Sequence, residues 1–478
     1  MCGGHGWQRE TPAVRTPAQL AQPARSPAAV PDLPYPRELA LSSSAQGREL
    51  RVMIVTDQYE PMVGGVPTVT RELAAGLSER GHTVTVVAPS TTRHSATRPA
   101  PRVEWRGSLP WPWYDGQRLG LLPPRRARDL MTGFAPDVVH IHSPLTLGAA
   151  ARPAARRLRV PVVYTNHYLP LNVWPGAARD TRGPEPGRGG LGPRVRDAAF
   201  YACVTGFANR CDLVTAPTAT ALGLLRDHGL HVPSQTVSNG VDLARFAPGP
   251  ADEALRSRYG LPPGRPLVLS VGRLSPEKRA DVLIAAAARL GPADRAGAGG
   301  GDPLLVLAGT GPEDGRLRSL ARHYGVADRV RFLGFVPDAD LAGLYRLADV
   351  FAIASQAELQ SLATMAAMAS GLPVVAAEAG ALGELVHPGE NGFLVRPGRP
   401  AEFAGSLARL VQDASLRARM SKAAVRIIGE HDRHRMLARW ESIYRELAWP
   451  GACRTPQPVA EHAVQQRKRT GELRDGQP

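Results

Sequence analysis

Short apolar stretches keep alternating with amphipathic ones along this chain, and that alternation constrains its fold more than any other feature. Residues 52–55, 83–88, 137–142 and 160–165 read as buried strands, with a helix over 68–79. A second series follows, with strands at 267–271, 304–308, 330–333, 350–354 and 373–376, and helices at 281–290, 315–323 and 341–347. Apolar strands separated by helices imply parallel β-α-β units covered on both faces. At 478 residues the chain exceeds what one core usually supports. The expected architecture is therefore α/β, with two doubly wound Rossmann-like sheets joined near residues 237–246. Ligands of such sheets sit at the carboxyl ends of the strands, so the site is expected in a cleft between the two.

Gly- and Pro-rich breaks at 176–195 and 291–303 read as surface loops. Residues 1–48, rich in Pro, Ala and Arg without helical or strand periodicity, read as a disordered arm, and 448–478 as a disordered tail. No apolar run reaches the roughly 18–20 residues that span a bilayer, and no basic-then-apolar leader opens the sequence, so the expected compartment is the cytoplasm. Cys2, Cys203, Cys211 and Cys453 lack a metal-ligand rhythm and read as ordinary thiols. The formal charge is +15, from 58 basic and 43 acidic residues, with the excess concentrated around Arg152, Arg156, Arg157, Arg159 and residues 179–196. Such a face is either plain solvated surface or an attractor for anionic lipid. No aromatic-basic interleaving points to nucleic acid.

Several motifs follow strand ends. Gly64-Gly65, between a strand and a helix, permits close backbone approach to an anion or makes a plain turn. His140 and His142 share a strand face; His142 is expected to emerge into the cleft, while a buried imidazole bonded to backbone is the alternative for both. His167-Tyr168 ends the next strand in the same way. Arg273 and Lys278, five apart after a strand, offer a guanidinium fork and a point charge to phosphate. Gly309 sits in another post-strand turn. Asp338 and Asp340 precede a helix and read as caps rather than metal ligands. The stretch from Ser355 to Pro373 runs from a strand end, past Glu358, into a helix whose N-terminal N–H groups suit a diphosphate, leaving Glu358 for sugar hydroxyls.

In this order the motifs resemble the retaining glycosyltransferases of family four, which have the GT-B fold of two Rossmann-like domains facing across a cleft. The resemblance covers roughly residues 50–447, and the segment Glu358-Leu359-Gln360-Ser361-Leu362-Ala363-Thr364 is similar to the subset that includes bacterial diacylglycerol glucosyltransferases. It implies an acceptor domain over 49–237, a nucleotide-sugar domain over 238–430, and a helix at 431–447 crossing back to the first. It also implies transfer of a hexose from a UDP- or GDP-sugar to a lipid or glycan acceptor, with no metal or other cofactor. Arg273 and Lys278 would take the diphosphate, Glu358 and His142 the hexose, and Gly64, Gly65 and Gly309 the backbone approach to the donor. Leu359, Gln360, Ser361 and Leu362 would contact sugar and phosphate through their backbone, Phe335 and Val336 would border the base, and His167 and Tyr168 the acceptor side. Where the family places a second glutamate, which receives the ribose hydroxyls, this chain has Ala366. That departure leaves two functional readings: a weakened transferase, or a catalytically silent nucleotide-sugar-binding protein of the same fold.

Overall fold

The computed structural model describes residues 47–90, 101–111, 118–173, 191–290 and 302–450. The expected arm and tail lie outside the described residues save for their inner edges, as do most of the expected loops at 176–195 and 291–303. The first half contains β1 (Arg51–Val55), α1 (Gly65–Glu79), β2 (Thr83–Pro89), β3 (Arg102–Arg106), β4 (Ser108–Pro110), β5 (Arg118–Gly120) and α2 (Pro124–Phe134). It continues through β6 (Val138–Ile141), α3 (Thr146–Arg157), β7 (Val162–Thr165), α4 (Pro170–Val173), α5 (Leu191–Ala208), β8 (Leu213–Ala216), α6 (Ala219–Asp227) and β9 (Ser234–Thr236). The second half contains α7 (Glu253–Arg258), β10 (Leu267–Val271), α8 (Ala280–Arg289), β11 (Leu304–Ala308), α9 (Asp314–His323), β12 (Val330–Gly334) and α10 (Asp338–Leu347). It ends with β13 (Val350–Ile353), α11 (Leu362–Ala369), β14 (Val374–Ala377), β15 (Gly392–Val395), α12 (Pro400–Gln412), α13 (Ala414–Ile428) and α14 (Arg433–Ala448).

Seven strands form the first sheet in the order β3-β2-β1-β6-β7-β8-β9, and six form the second in the order β12-β11-β10-β13-β14-β15. Neighbours run parallel throughout both sheets. Each order reverses direction once, between β1 and β6 in the first sheet and between β10 and β13 in the second. Crevices outside the carboxyl ends of strands at such reversals are where ligands of this architecture bind. The loops leaving β1, β6, β10 and β13 carry Gly64-Gly65, His142, Arg273 to Lys278, and Glu358.

The second sheet and its helices enclose one apolar cluster built on Leu269, Val306, Phe351 and Val375. The first sheet has a cluster on each face. On one of them, Met436, Leu437, Trp440, Ile443 and Tyr444 of α14 pack with Val52, Ile54 and Val86. The last of the described helices thus completes the core of the first sheet. Its approach requires Gly76, where a Cβ would lie 2.5 Å from Leu437 Cδ1. The chain crosses between sheets twice, and the crossings run side by side: Val241 N–H donates to His431 O at 2.8 Å, and Arg433 N–H to Val241 O at 2.9 Å.

Three expectations are corrected here. Residues 191–195 are helical, within α5, rather than part of a loop. The helix expected over 68–79 begins at Gly65. Asp338 and Asp340 do not cap α10, whose N-cap is Pro337; they pair instead with Arg245 and with Arg258, each at 3.0 Å.

Candidate active site

A cavity of about 1350 Å³ opens between the carboxyl edges of the two sheets. Its second-sheet wall is laced together by backbone. Gly272 N–H donates to Ala308 O, Leu274 N–H to Thr310 O, Gln356 N–H to Glu277 O, and Ala381 N–H to Glu358 O, all within 3.0 Å. The packing leaves no space for side chains at two of these turns. Gly309 adopts φ +142°, and a Cβ there would fall 1.9 Å from Gly272 O. A Cβ at Gly311 would fall 2.2 Å from Leu274 O. Gly309 therefore lets the β10 and β11 loops touch as well as lining the cavity.

On this scaffold Lys278 Nζ meets Glu358 Oε1 at 2.6 Å, with the carboxylate side chain 8% exposed and the ammonium 30%. A pair so placed is held by geometry that neither partner reaches alone, and removing one leaves the other charge poorly solvated. Arg273 lines the same wall. Next to them α11 points its N-terminus at the cavity. Ser361 caps it, its Oγ accepting from Thr364 N–H at 3.2 Å and from Thr364 Oγ1 at 2.9 Å. The N–H groups of Leu362 and Ala363 have no carbonyl within their own helix. A guanidinium, an ammonium and a helix N-terminus on one wall suit an anion with several oxygens.

The facing wall comes from the first sheet. Gly64 and Gly65 open α1 without a side-chain cap, and added Cβ atoms meet only Pro67 Cδ at 3.7 Å at position 64 and nothing within 4 Å at position 65. His167 and Tyr168 also line the cavity. His142 does not emerge as expected: it is 1% exposed, behind His167, because the ring is drawn into a stack with its neighbours. Its Nδ1 lies 2.9 Å from His167 Nε2, with the two rings nearly parallel, while its Nε2 has no protein partner. His140, deeper still, bonds Tyr444 Oη and Thr165 Oγ1, each at 2.7 Å, so it is buried as the alternative had it, but held by side chains rather than backbone. Burial disfavours the charged imidazole throughout this group. It pushes His167 down to about 4, and desolvation with mutual repulsion holds His140 and His142 well below the usual range. At neutral pH this wall carries uncharged rings.

The remaining candidates divide. Phe335, 58% exposed, and buried Val336 stand together at the cavity, and Leu362 and Ala366 face it from α11. Leu359 packs into the apolar cluster of the first sheet, and its carbonyl accepts from Thr218 Oγ1 at 2.8 Å. Gln360 is committed elsewhere: its Oε1 accepts from Asn239 N–H at 2.8 Å and its Nε2 donates to Ser238 Oγ at 3.1 Å. Its side chain braces the crossing of the chain, while the residue itself lines the cavity. Cys203 is exposed and Cys211 buried, both free; Cys2 and Cys453 lie outside the described residues. Among the described residues no group of three or more His, Cys, Asp or Glu could hold a metal ion.

Sequence reasoning missed two contacts that tie the second half of the chain to the first, and one buried carboxylate within the first. Glu384 accepts from the N–H groups of Ala219 and Thr220 at 3.0 and 2.7 Å, so a carboxylate of the second half caps a helix of the first. Arg433 lines the cavity from the start of α14 and reaches Glu79 at 2.9 Å and Glu72 at 3.5 Å. An Arg at the positive end of a helix is unfavourable unless an acid answers it, and that was the available signal. Asp57 accepts from Ser143 Oγ, Thr146 Oγ1 and Gly120 N–H, and burial raises its pKa.

Residues 63–245 match the family described as Glycosyltransferase Family 4, and residues 251–426 the one described as Glycosyl transferases group 1. The chain is 28% identical over 315 residues to an alpha-monoglucosyldiacylglycerol synthase of Streptococcus pneumoniae, covering 64% of this chain and 66%, just under two thirds, of that one. It is 31% identical over 318 residues to a GDP-mannose-dependent alpha-mannosyltransferase of Mycolicibacterium smegmatis, covering 63% and 72%. Its fold is similar to the crystal structure of Anabaena HepE in complex with UDP and glucose, with a TM-score of 0.65 at 23% identity, covering 83% of this chain and 99% of that one. Two paired parallel sheets, reversal-point loops facing one cavity and both sequence matches lead to one assignment: the chain belongs to the family four glycosyltransferases, with the GT-B fold.

Proposed function

We propose that this protein transfers a hexose, with retention of anomeric configuration, from a UDP- or GDP-sugar to a lipid or glycan acceptor. The observation that carries the reading is the convergence of Arg273, the Lys278–Glu358 pair and the N-terminus of α11 on one wall of the cavity. As the sugar leaves, negative charge grows on the diphosphate, and cations already in place stabilise it without reorganisation. Glu358, oriented by Lys278, is the acceptor for hydroxyls of the hexose. His167 and Tyr168, uncharged at neutral pH, form the acceptor side, and His142 fixes the His167 ring by its hydrogen bond. The acceptor hydroxyl attacks from the face that the diphosphate vacates, and the departing phosphate oxygen takes its proton. No metal ion has a part in this scheme. The mannosyltransferase relative supports GDP-mannose as one donor, HepE supports UDP-glucose chemistry as another, and the diacylglycerol-linked relative supports a lipid acceptor.

A lipid acceptor fits a peripheral site on the cytoplasmic face of the membrane. Arg125, Arg126 and Arg128 on α2 and Arg156, Arg157 and Arg159 at the end of α3 are exposed, and exposed Leu109 and Leu121 lie close in sequence to α2. Among the described residues no helix is long and apolar enough to cross a membrane. Binding to anionic vesicles that weakens at high salt is the expected behaviour, and indifference to both lipid charge and salt would remove this part of the proposal.

Ala366 favours a second reading, a silent nucleotide-sugar-binding protein. Nucleotide release is to be measured with UDP- and GDP-sugars and a membrane-lipid extract, alongside calorimetry. Acceptor-dependent release supports the transferase. Binding without turnover, unrepaired in Ala366→Glu, supports the silent protein, and absence of both binding and turnover defeats both.

A further inference from the structure

The nucleoside half of the cavity is chemically plain in a way that bears on which nucleotides it accepts. Three side chains of α11 line it: Leu362, Ala363 and Ala366. Their spacing puts them on one stripe, with Ala366 one turn and about 6 Å farther along the axis than Leu362. A diphosphate held at the helix end, beside Arg273 and Lys278, hands the next group of the donor, its pentose, to that stripe. The sugar on the other phosphate lies toward Glu358. What the stripe offers the pentose is methyl groups. Carbonyls of a helix's first turn point away from its N-terminus and are bonded within the helix, so no backbone acceptor is available there.

Nor do the carboxylates elsewhere on the cavity wall fill this role. Glu358 is bound to Lys278, and Asp338 to Arg245 at 3.0 Å. Asp242 accepts from the N–H groups of Ala244 and Arg245, Glu277 from Ser275 Oγ, and Glu72 from Arg71, with Arg433 paired to it at 3.5 Å. Hydroxyls pressed against methyls without a partner lose hydration and gain nothing.

We infer that this site does not read the 2′,3′-diol of its nucleotide and therefore accepts 2′-deoxynucleoside diphosphates, and the sugars they carry, as readily as ribonucleotides. The inference rests on the donor reading above and adds to it a class of donor, the 2′-deoxynucleotide sugars. A site holding a carboxylate against the diol would behave differently, because a hydrogen bond to a charged group separates ribo from deoxy ligand by roughly tenfold or more.

The test is calorimetric titration of the full chain with UDP against 2′-deoxy-UDP, and GDP against 2′-deoxy-GDP, at one ionic strength. The expected ratio of dissociation constants, deoxy over ribo, is below five for whichever base binds more tightly. A ratio of five or more overturns the inference while leaving nucleotide binding, and so the donor reading, intact. Absence of binding by all four nucleotides removes the donor reading and the inference with it. Ala366→Glu grows a carboxylate from the stripe into the cavity and is expected to raise the ribo preference at least tenfold. If that variant folds, as judged by its circular dichroism, and the ratio does not move, the pentose does not lie against Ala366 and the inference fails. Should it not fold, the wild-type ratio decides alone.

Discussion

Across the cavity the two walls treat charge in opposite ways. The second-sheet wall concentrates it: Arg273, the Lys278–Glu358 pair and a capped helix end stand on loops bound to one another through backbone. The first-sheet wall carries little of it: His140, His142 and His167 are held neutral by burial, Glu72 is matched by Arg71 and Arg433, and α1 begins at two glycines without a side-chain cap. A charged wall grips an anion and must not move as charge shifts in the reaction. A neutral wall meets a hydroxyl or lipid acceptor without competing for that anion. The contrast implies that donor energetics depend on one wall and acceptor energetics on the other.

The largest expected effect tests that division directly. Lys278→Met is expected to lower kcat/KM by roughly 10²- to 10³-fold, the usual cost of losing a group that stabilises charge in the transition state. Part of any loss reflects Glu358 left buried without its partner. The double variant Lys278→Met/Glu358→Gln separates the two, since it relieves the stranded carboxylate but returns no cation, and it should stay inactive while unfolding near the wild-type midpoint. On the other wall, His167→Asn is expected to change donor binding less than about fivefold and to act on acceptor KM. If His167→Asn weakens the donor as much as Lys278→Met does, the division of labour is wrong.

Next come the glycines, which look alike in sequence and differ in place. Gly309→Ala must accept φ +142° and a Cβ 1.9 Å from Gly272 O, and should lose about 3 kcal/mol or more in urea unfolding. Gly65→Ala adds a Cβ with nothing within 4 Å at the first residue of a helix, so its stability should change by less than about 1 kcal/mol. Its effect belongs in donor affinity, because that space is where a ligand would approach. Equal destabilisation by both substitutions would contradict the rigid-wall, open-wall distinction.

Acid provides the third test. His167 is lowered to about 4 in the folded chain from an ordinary 6.5, so below pH 6.5 the unfolded chain binds protons that the folded one refuses. Stability therefore rises with pH across this window and is lost as pH falls from about 6.5 toward 4. At about 1.4 kcal/mol per unit, discounted for the part of the ring that meets water, the loss from His167 is on the order of 2 kcal/mol. His140 and His142 add to it in the same direction. Glu441, held down to about 2 by His82 and Arg80, titrates in a lower window, from about 4.5 downward, and so does not mask the effect. Urea midpoints at pH 7 and 4.5 measure the difference, and His167→Asn should shrink it. An unchanged slope in that variant would mean that the ring is not held neutral by this wall.

The two walls also differ in how far the sequence reveals them. Doubly wound sheets were legible because apolar strands alternate with helices, and Arg273, Lys278 and Glu358 were legible because they follow strands directly. Their geometry is local: a strand end fixes where the next few residues go. Edge elements were not legible. Arg102–Arg106 (β3) carries two arginines and a glutamate, is half-buried without alternation, and its pattern does not distinguish it from a loop. His142 was misplaced because period-two alternation gives the face but not the depth: the ring lies 1% exposed, in contact with His140 and with His167 from the next strand end. The side-chain role of Gln360 was not legible either, as its partners Ser238 and Asn239 belong to the crossing of the chain.

The smallest effect compares the two helix ends that face each other. Ser361 satisfies Thr364 N–H on α11, whereas α1 has Gly64 and no side-chain cap. Ser361→Ala should cost about 1 kcal/mol of stability, the ordinary value of an N-cap, and Ser361→Gly only a few tenths. In the glycine variant the N–H of Thr364 is released beside those of Leu362 and Ala363, at the end where a diphosphate would sit. UDP or GDP should then bind equally well or about two- to threefold more tightly, while the alanine variant, which also releases the N–H but adds a methyl, gains less. Thermal unfolding and calorimetry on the pair of variants read the two quantities independently. If Ser361→Gly instead weakens nucleotide binding several-fold, the serine hydroxyl is itself a ligand for the donor, and the α11 terminus acts through its cap rather than through bare backbone.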